Sequence, residues 1–172
     1  MIGVAVLGFG TVGSGVYEVL KVNADSIARK ASEELKVLSV LDLRDFPGNE
    51  VEKVLTHDYE DILNNDDIKI VAEVMGGVEP AFTFSKKALM KGKSVVTSNK
   101  AVVAAKGPEL MKIAKENNAN YLFEASCGGG IPIIRPLCVS LTADKINSVK
   151  GILNGTTNFI LTKMTEEGSS FE

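Results

Sequence analysis

Residues 2–15 read IGVAVLGFGTVGSG. Six residues without a charge, Ile2 to Leu7, run into three glycines spaced as GxGxxG: Gly8, Gly10 and Gly13. A short apolar run of this kind is a buried strand. From Thr11 to Val22 the apolar residues Val12, Val16, Val19 and Leu20 fall on one side of a helix. Strand, glycine turn and helix in that order open a βαβ unit, where each glycine has its own task. Gly8 permits the tight turn, Gly10 lets backbone approach a pyrophosphate, and Gly13 lets the helix lie close on the strand. The first-turn amides, those of Thr11 and Val12 among them, then face phosphate oxygens. The stretch predicts dinucleotide binding.

Outward from this unit the same alternation continues. LKVLSVLDL (35–43), IKIVAEVM (68–75), KSVVTS (93–98) and YLFEAS (121–126) read as four further strands. Helical patterns lie between them: 23–34, capped at Asn23-Ala24-Asp25; 58–63; Pro80 to near Gly92; and 107–118. RDFPGNE, with its Pro-Gly, is a loop. Strands separated by helices pair in parallel through right-handed crossovers. The expected fold class is α/β, a doubly wound parallel (Rossmann) sheet. After Ser126 the texture changes to CGGGIPIIRPL, with three consecutive glycines and two prolines. This places a boundary: 1–126 as the dinucleotide-binding domain, 127–172 as the beginning of a second, α+β domain. Beyond the boundary the pattern predicts a helix over 131–141, a strand over 146–153 and a helix over 156–167. One strand and two helices do not complete a sheet domain, so the second domain is expected to be incomplete here. A strand at 146–153 would carry an unpaired edge, which invites pairing with another copy.

The composition sets the class. The chain has 172 residues, 45% hydrophobic and 24% charged, with a net charge of −3, which is ordinary for a globular protein with its own core. There is no Lys/Arg run to meet nucleic acid; Lys86, Lys87, Lys91 and Lys93 read as a solvated helix face. No apolar run reaches the roughly 18 residues that span a bilayer, and Met1 to Leu7 lacks the basic segment of a signal peptide. The expectation is a cytoplasmic protein with two reduced thiols, Cys127 and Cys138. His57, in LTHDYED, reads as a solvent-facing loop side chain.

Candidate chemistry clusters at the carboxyl ends of the strands, where ligands bind in an open α/β sheet. Asp42 can accept from a ribose 2′-OH, the NAD pattern; Arg44, two residues on, can meet the 2′-phosphate of NADP. Lys100, after the fourth strand, can polarise a carbonyl or hold a developing alkoxide. Glu124, at the end of the fifth, can bind substrate, accept a proton or help ligate a hard cation with neighbouring carbonyls. Asn154, Gly155 and Thr156 precede an apolar helix. Thr156 or Thr157 can cap it, and its N-terminus can hold an anionic substrate group.

The segments GFGTVG (8–13), VAEVMGGVEPA (71–81), VVTSNKAVVAAKG (95–107), FEASCGGGIPII (123–134) and GILNGTTNFILTKM (151–164) together resemble homoserine dehydrogenases. The resemblance covers nearly the whole chain, in order. It implies interconversion of L-homoserine and L-aspartate 4-semialdehyde with NAD or NADP, on the route to threonine and methionine. It implies that Lys100 contacts the cofactor and reacting centre and serves in proton transfer. Phe9, Gly10, Thr11, Val12 and Gly76 would line the nicotinamide nucleotide, with Ser98 beside them. It further implies a monovalent cation, typically sodium, held largely by carbonyls at Glu124, Cys127, Gly129 and Ile131. A homodimer is expected for a full-length family member.

Three positions depart from the family pattern. Cys127 stands where valine is usual, and Ser98 where alanine is usual. Leu41 stands where a basic residue often precedes the acid of the second strand, which favours NAD over NADP. The family's later GYAEADP-like stretch, with a substrate-binding glutamate, an aspartate and a following catalytic lysine, has no counterpart in the 172 residues. The expected behaviour is cofactor binding with little turnover. Two other readings accommodate the same residues: a Rossmann oxidoreductase acting on a related semialdehyde, and a non-catalytic dinucleotide-binding module.

Overall fold

A computed structural model describes residues 1–152 and 154–171. The strands are β1 (Ile2–Leu7), β2 (Leu35–Leu41), β3 (Leu55–Thr56), β4 (Ile68–Glu73), β5 (Ser94–Thr97) and β6 (Tyr121–Leu122). The helices are α1 (Thr11–Val22), α2 (Ala24–Ala31), α3 (Tyr59–Leu63), α4 (Ala81–Met90), α5 (Lys100–Glu116), α6 (Glu124–Gly128) and α7 (Gly155–Glu166). The six strands form one sheet in the order β3-β2-β1-β4-β5-β6, and every pairing is parallel. This is the strand order of a doubly wound dinucleotide-binding sheet.

Alternation along the strands sorts the core into two layers. Ala5, Leu7, Val71 and Val95 face α3, α4 and α5, where Ile62, Leu89, Val102 and Leu110 are fully buried. Val6, Val40 and Ala72 face the other way, against Phe9, Val16, Tyr17 and Val51. On that second face the strands β4 and β5 show Ile70, Ala72 and Val96 to an apolar groove of about 480 Å³ beside α1.

Local chemistry moves several boundaries from their sequence positions. Helix α5 begins at Lys100 rather than 107, because the Asn99 side chain accepts from the amides of Ala101 and Val102 and caps it. The helix then carries Pro108 in its interior. Helix α2 ends at Ala31, where Ser32 turns left-handed (φ 56°). The expected fifth strand is only Tyr121–Leu122; from Glu124 the chain coils into α6. Of the helix expected over 131–141, residues 134–140 are helical, with Pro136–Ser140 wound as a π-helix. Ile146 to Ile152 form no strand, and Leu153 lies outside the described residues. Val149 and Ile152 are exposed with no strand beside them to supply a ladder, so the expected edge-to-edge pairing has no strand to act through.

The two-residue β3 and the 3₁₀ turn Glu50–Val54 were too short to register as a pattern. Lys93 is not on a solvated face. It is 5% exposed, and its ammonium donates to the carbonyls of Asn65 (2.6 Å) and Ile68 (2.9 Å).

Two glycines of the opening turn differ in what they tolerate. A Cβ on Gly13 would lie 1.9 Å from the Gly8 carbonyl oxygen, whereas one on Gly10 would meet nothing within 4 Å. Gly13→Ala is expected to lower the unfolding free energy by about 2–3 kcal/mol through overpacking. Gly10→Ala should change it by about 0.5 kcal/mol or less. Urea titration of the two variants checks the contrast.

Candidate functional site

The sheet reverses its winding between β1 and β4, which pair with each other at the centre. The loops after those strands diverge there and leave a crevice at the carboxyl edge. Gly8 makes the turn out of β1 with φ +94°, a left-handed angle that a side chain disfavours. Gly10 then caps α1 with no side chain, and the first turn of α1 holds no acidic residue. The helix therefore presents its first-turn amides and positive dipole end without a protein side chain across them. With the open space over Gly10, this forms an anion cradle that a Cβ would fill. The residues fit a pyrophosphate.

Beside the turn lies a crevice of about 420 Å³, lined by Gly8, Asp42, Arg44, His57, Met75 and Phe84 among others. Asp42, just past β2, is half-buried. Its carboxylate accepts from the Phe9 amide (2.7 Å) and the Arg44 amide (3.0 Å). The Arg44 guanidinium adds Nε (2.9 Å) and Nη2 (3.0 Å), and Nη2 also donates to the Phe9 carbonyl (3.2 Å). The Arg44 side-chain bonds hold the Asp42 carboxyl far below its ordinary range, with the Phe9 amide adding to them. A carboxyl lowered on folding keeps its full contribution above its unfolded value and loses it as pH falls through the folded one. The loop is thus fastened throughout the neutral range. Arg44 further lies over the Phe46 ring (5.1 Å), which packs edge-on against Phe9.

His57 is exposed, yet it is not idle in solvent. Nδ1 lies 2.6 Å from the Asp42 carbonyl and Nε2 lies 3.0 Å from Asp45 Oδ1. Both partners can only accept, so the geometry suits an imidazolium, and these contacts raise its pKa.

On the other side of the crevice, the end of β4 carries Glu73, which is fully buried. It accepts from the Met75 amide (2.9 Å), Thr97 Oγ1 (2.6 Å) and Asn99 Nδ2 (3.4 Å). Burial raises its pKa against the opposing pull of those bonds. A carboxyl raised on folding contributes most below its unfolded value and loses stability as pH rises through the folded one, the reverse of Asp42. Gly76 follows, exposed. Lys100 is exposed at the first turn of α5, and no carboxylate among the described residues forms an ion pair with it.

The predicted residues thus part into groups. Phe9 to Gly13, Asp42 and Arg44 gather around the Gly8 turn, and Gly76 and Lys100 follow the ends of β4 and β5. Ser98 instead borders the apolar groove on the α1 side, with Val12, Val74 and Ala125. Glu124 is not at a strand end. From the first turn of α6 its two oxygens accept the amides of Ile133 (2.5 Å), Ile134 (2.8 Å) and Arg135 (2.7 Å), which lower its pKa. Its side chain closes the glycine loop. Cys127 and Ile131 are exposed and Gly129 has φ +61°. Among the described residues no three His, Cys, Asp or Glu side chains group to hold a metal. At α7 the cap is Asn154, which accepts from the Thr157 amide (2.9 Å), rather than either threonine. Gly155 and Thr156 are exposed. Sequence reading missed Glu73, Asn99 and His57. An acid ending a buried strand before two glycines, and an Asn three residues before a buried Val, were the available signals for the first two.

Nearly the whole chain matches known proteins. A family model described as the NAD-binding domain of homoserine dehydrogenase matches residues 8–124, and one described as homoserine dehydrogenase matches 132–172. The chain is 46% identical over 171 residues to a homoserine dehydrogenase of Synechocystis, covering 98% of this chain and 39% of that protein. It is 43% identical to that of Bacillus subtilis, covering 98% and 40%. The solved homoserine dehydrogenase of Thiobacillus denitrificans superposes with a TM-score of 0.89 at 41% identity, over 99% of this chain and 40% of that one. A hyperthermophilic archaeal homoserine dehydrogenase mutant, solved in complex with NADPH, superposes with a TM-score of 0.79 at 32% identity, over 98% and 57%. The chain thus spans about two fifths of the length of the curated relatives it matches. Among the described residues no helix is long and apolar enough to cross a membrane. With the two family models covering residues 8–124 and 132–172 and the solved structure superposing over 99% of its length, the chain belongs to the homoserine dehydrogenase family.

Proposed function

We propose that this chain binds NAD(H) at the Gly8–Gly13 turn and forms the cofactor-holding part of an enzyme interconverting L-homoserine and L-aspartate 4-semialdehyde. Residues 1–126 hold the dinucleotide; residues 127–172 begin the part that holds substrate and pairs two copies. The open cradle over Gly10, at the bare N-terminus of α1, carries the reading. A nicotinamide dinucleotide held there would supply the hydride chemistry at the carbon that alternates between alcohol and aldehyde. Lys100 stands at the substrate oxygen, taking its proton in oxidation and returning it in reduction. Amides of Phe9 to Val12 hold the phosphates. Asn154, Gly155 and Thr156 receive the amino-acid end of the substrate. A sodium ion at the carbonyls of Glu124, Cys127, Gly129 and Ile131 would brace the glycine loop.

Preference for NAD over NADP rests on Asp42. Its carboxylate lies at the ribose side of the crevice, where a ribose hydroxyl would take the place of an Arg44 donor, and its charge disfavours a 2′-phosphate. Arg44 is committed to that same carboxylate and to the Phe9 carbonyl.

Calorimetric titration tests this directly. NADH is expected to bind more tightly than NADPH. Gly10→Ala should weaken NADH by about a hundredfold, since a methyl group displaces a pyrophosphate contact worth about 3 kcal/mol, while circular dichroism stays unchanged. Arg44→Ala should weaken NADPH more than NADH. Absence of dinucleotide binding by the parent chain would refute the reading. The chain is further expected to show no measurable homoserine-dependent reduction of NAD or NADP. A rate typical of complete enzymes, about 10 s⁻¹, would contradict the role given to the length its relatives carry beyond the matched span.

A further inference from the structure

The buried acid at the end of β4 ties together pieces of chain that face the crevice from different elements. Glu73 Oε1 holds the Met75 amide and Asn99 Nδ2, and Oε2 holds the Thr97 hydroxyl. The Thr97 hydroxyl oxygen in turn accepts the Asn99 amide (2.9 Å). Asn99 Nδ2 also donates to the Gly77 carbonyl (2.6 Å), and its Oδ1 caps α5 at Ala101 and Val102. One carboxylate thereby fixes the Met75–Gly77 loop against the first turn of α5, where Lys100 stands. Glu73, Thr97 and Asn99 are all buried, at 0%, 1% and 6% exposure. None reaches solvent to act as an acid or base.

A dinucleotide crosses the switch point with one nucleotide over each half of the sheet. The Gly8 turn and Asp42 serve the half built on β1 and β2. The Glu73 network lies under the other half, at the ends of β4 and β5. Resting on the proposed cofactor reading, we infer that Glu73 is a positioning residue for the nicotinamide half. Through Thr97 and Asn99 it sets the Met75–Gly77 loop and the Lys100 end of α5 at a fixed spacing. Apart from Met75, which borders the crevice beside Gly8 and Asp42, the residues it holds lie away from the ADP half.

The inference separates two ligands that share one half. NADH carries both nucleotides; ADP-ribose lacks the nicotinamide. Glu73→Ala is expected to weaken NADH about five- to tenfold, the effect of losing one or two buried hydrogen bonds, with ADP-ribose affinity within about twofold of the parent. Glu73→Gln should restore NADH affinity, because the amide keeps an acceptor for Met75 and can donate to the Thr97 hydroxyl. Thr97→Val, which keeps the volume and removes the bridge, should copy Glu73→Ala and serves if that variant does not fold.

A parallel loss of both ligands in Glu73→Ala and Thr97→Val, or no loss of NADH, would overturn the inference. So would failure of glutamine to rescue. Amide hydrogen exchange on the ligand-free chain decides the matter separately from the cofactor reading. Residues 75–77 and 99–102 should exchange faster together in Thr97→Val, with residues 9–14 unchanged. Uniform acceleration, or none, would contradict it.

Discussion

The absence of a side chain at Gly13 is the constraint on which the site depends. The Gly8 carbonyl lies where a Cβ of residue 13 would have to sit, so α1 can approach β1 only with glycine there. That approach places the first turn of α1 directly over the carboxyl edge of the sheet. It also lets Gly10 close the turn with bare backbone. The anion cradle is therefore a by-product of tight helix–strand packing, and its charge comes from aligned peptide dipoles rather than from any basic residue. This is how a chain with a net charge of −3 offers a site to a pyrophosphate.

Two acids flank the cradle, and burial gives them opposite characters. Asp42 is held ionised by Arg44 and the Phe9 amide, so it stiffens the loop beside the Gly8 turn. Glu73 is buried without a cation and is shifted the other way. Its oxygens serve as fixed acceptors for Met75, Thr97 and Asn99. One acid lines the crevice directly, while the other is linked to it through the residues it holds. The arrangement follows from strand geometry, since each acid lies at the carboxyl end of a strand beside the switch point.

Much of this was legible in the sequence where one pattern dominated. The glycine spacing after an apolar run gave the opening unit. The alternation of apolar segments with helical ones gave the parallel sheet and its class. Reading failed where a single side chain redirects the backbone. Asn99 starts α5 seven residues early by capping it, and Glu124 ends the expected strand by gathering three amides from residues 133–135. Lys93 looked like a surface charge because its carbonyl partners, Asn65 and Ile68, precede it by more than twenty positions. The same holds for Glu73, whose partners at 97 and 99 come together only when β4 and β5 pair. Long-range hydrogen bonds leave no period in a sequence, so the site's outline could be read but its internal bracing could not.

The central claim is that a dinucleotide lies across the carboxyl edge of the sheet, with its phosphates on the bare N-terminus of α1. Amide-resolved NMR of the ¹⁵N-labelled chain, titrated with NADH, tests it most directly. The account predicts the largest shifts at Phe9 to Val12, with a second group at Met75 to Gly77 and little change along the amino ends of the strands. Shifts centred on the apolar groove beside α1, or on the 127–152 segment, with residues 9–12 unmoved, would contradict it.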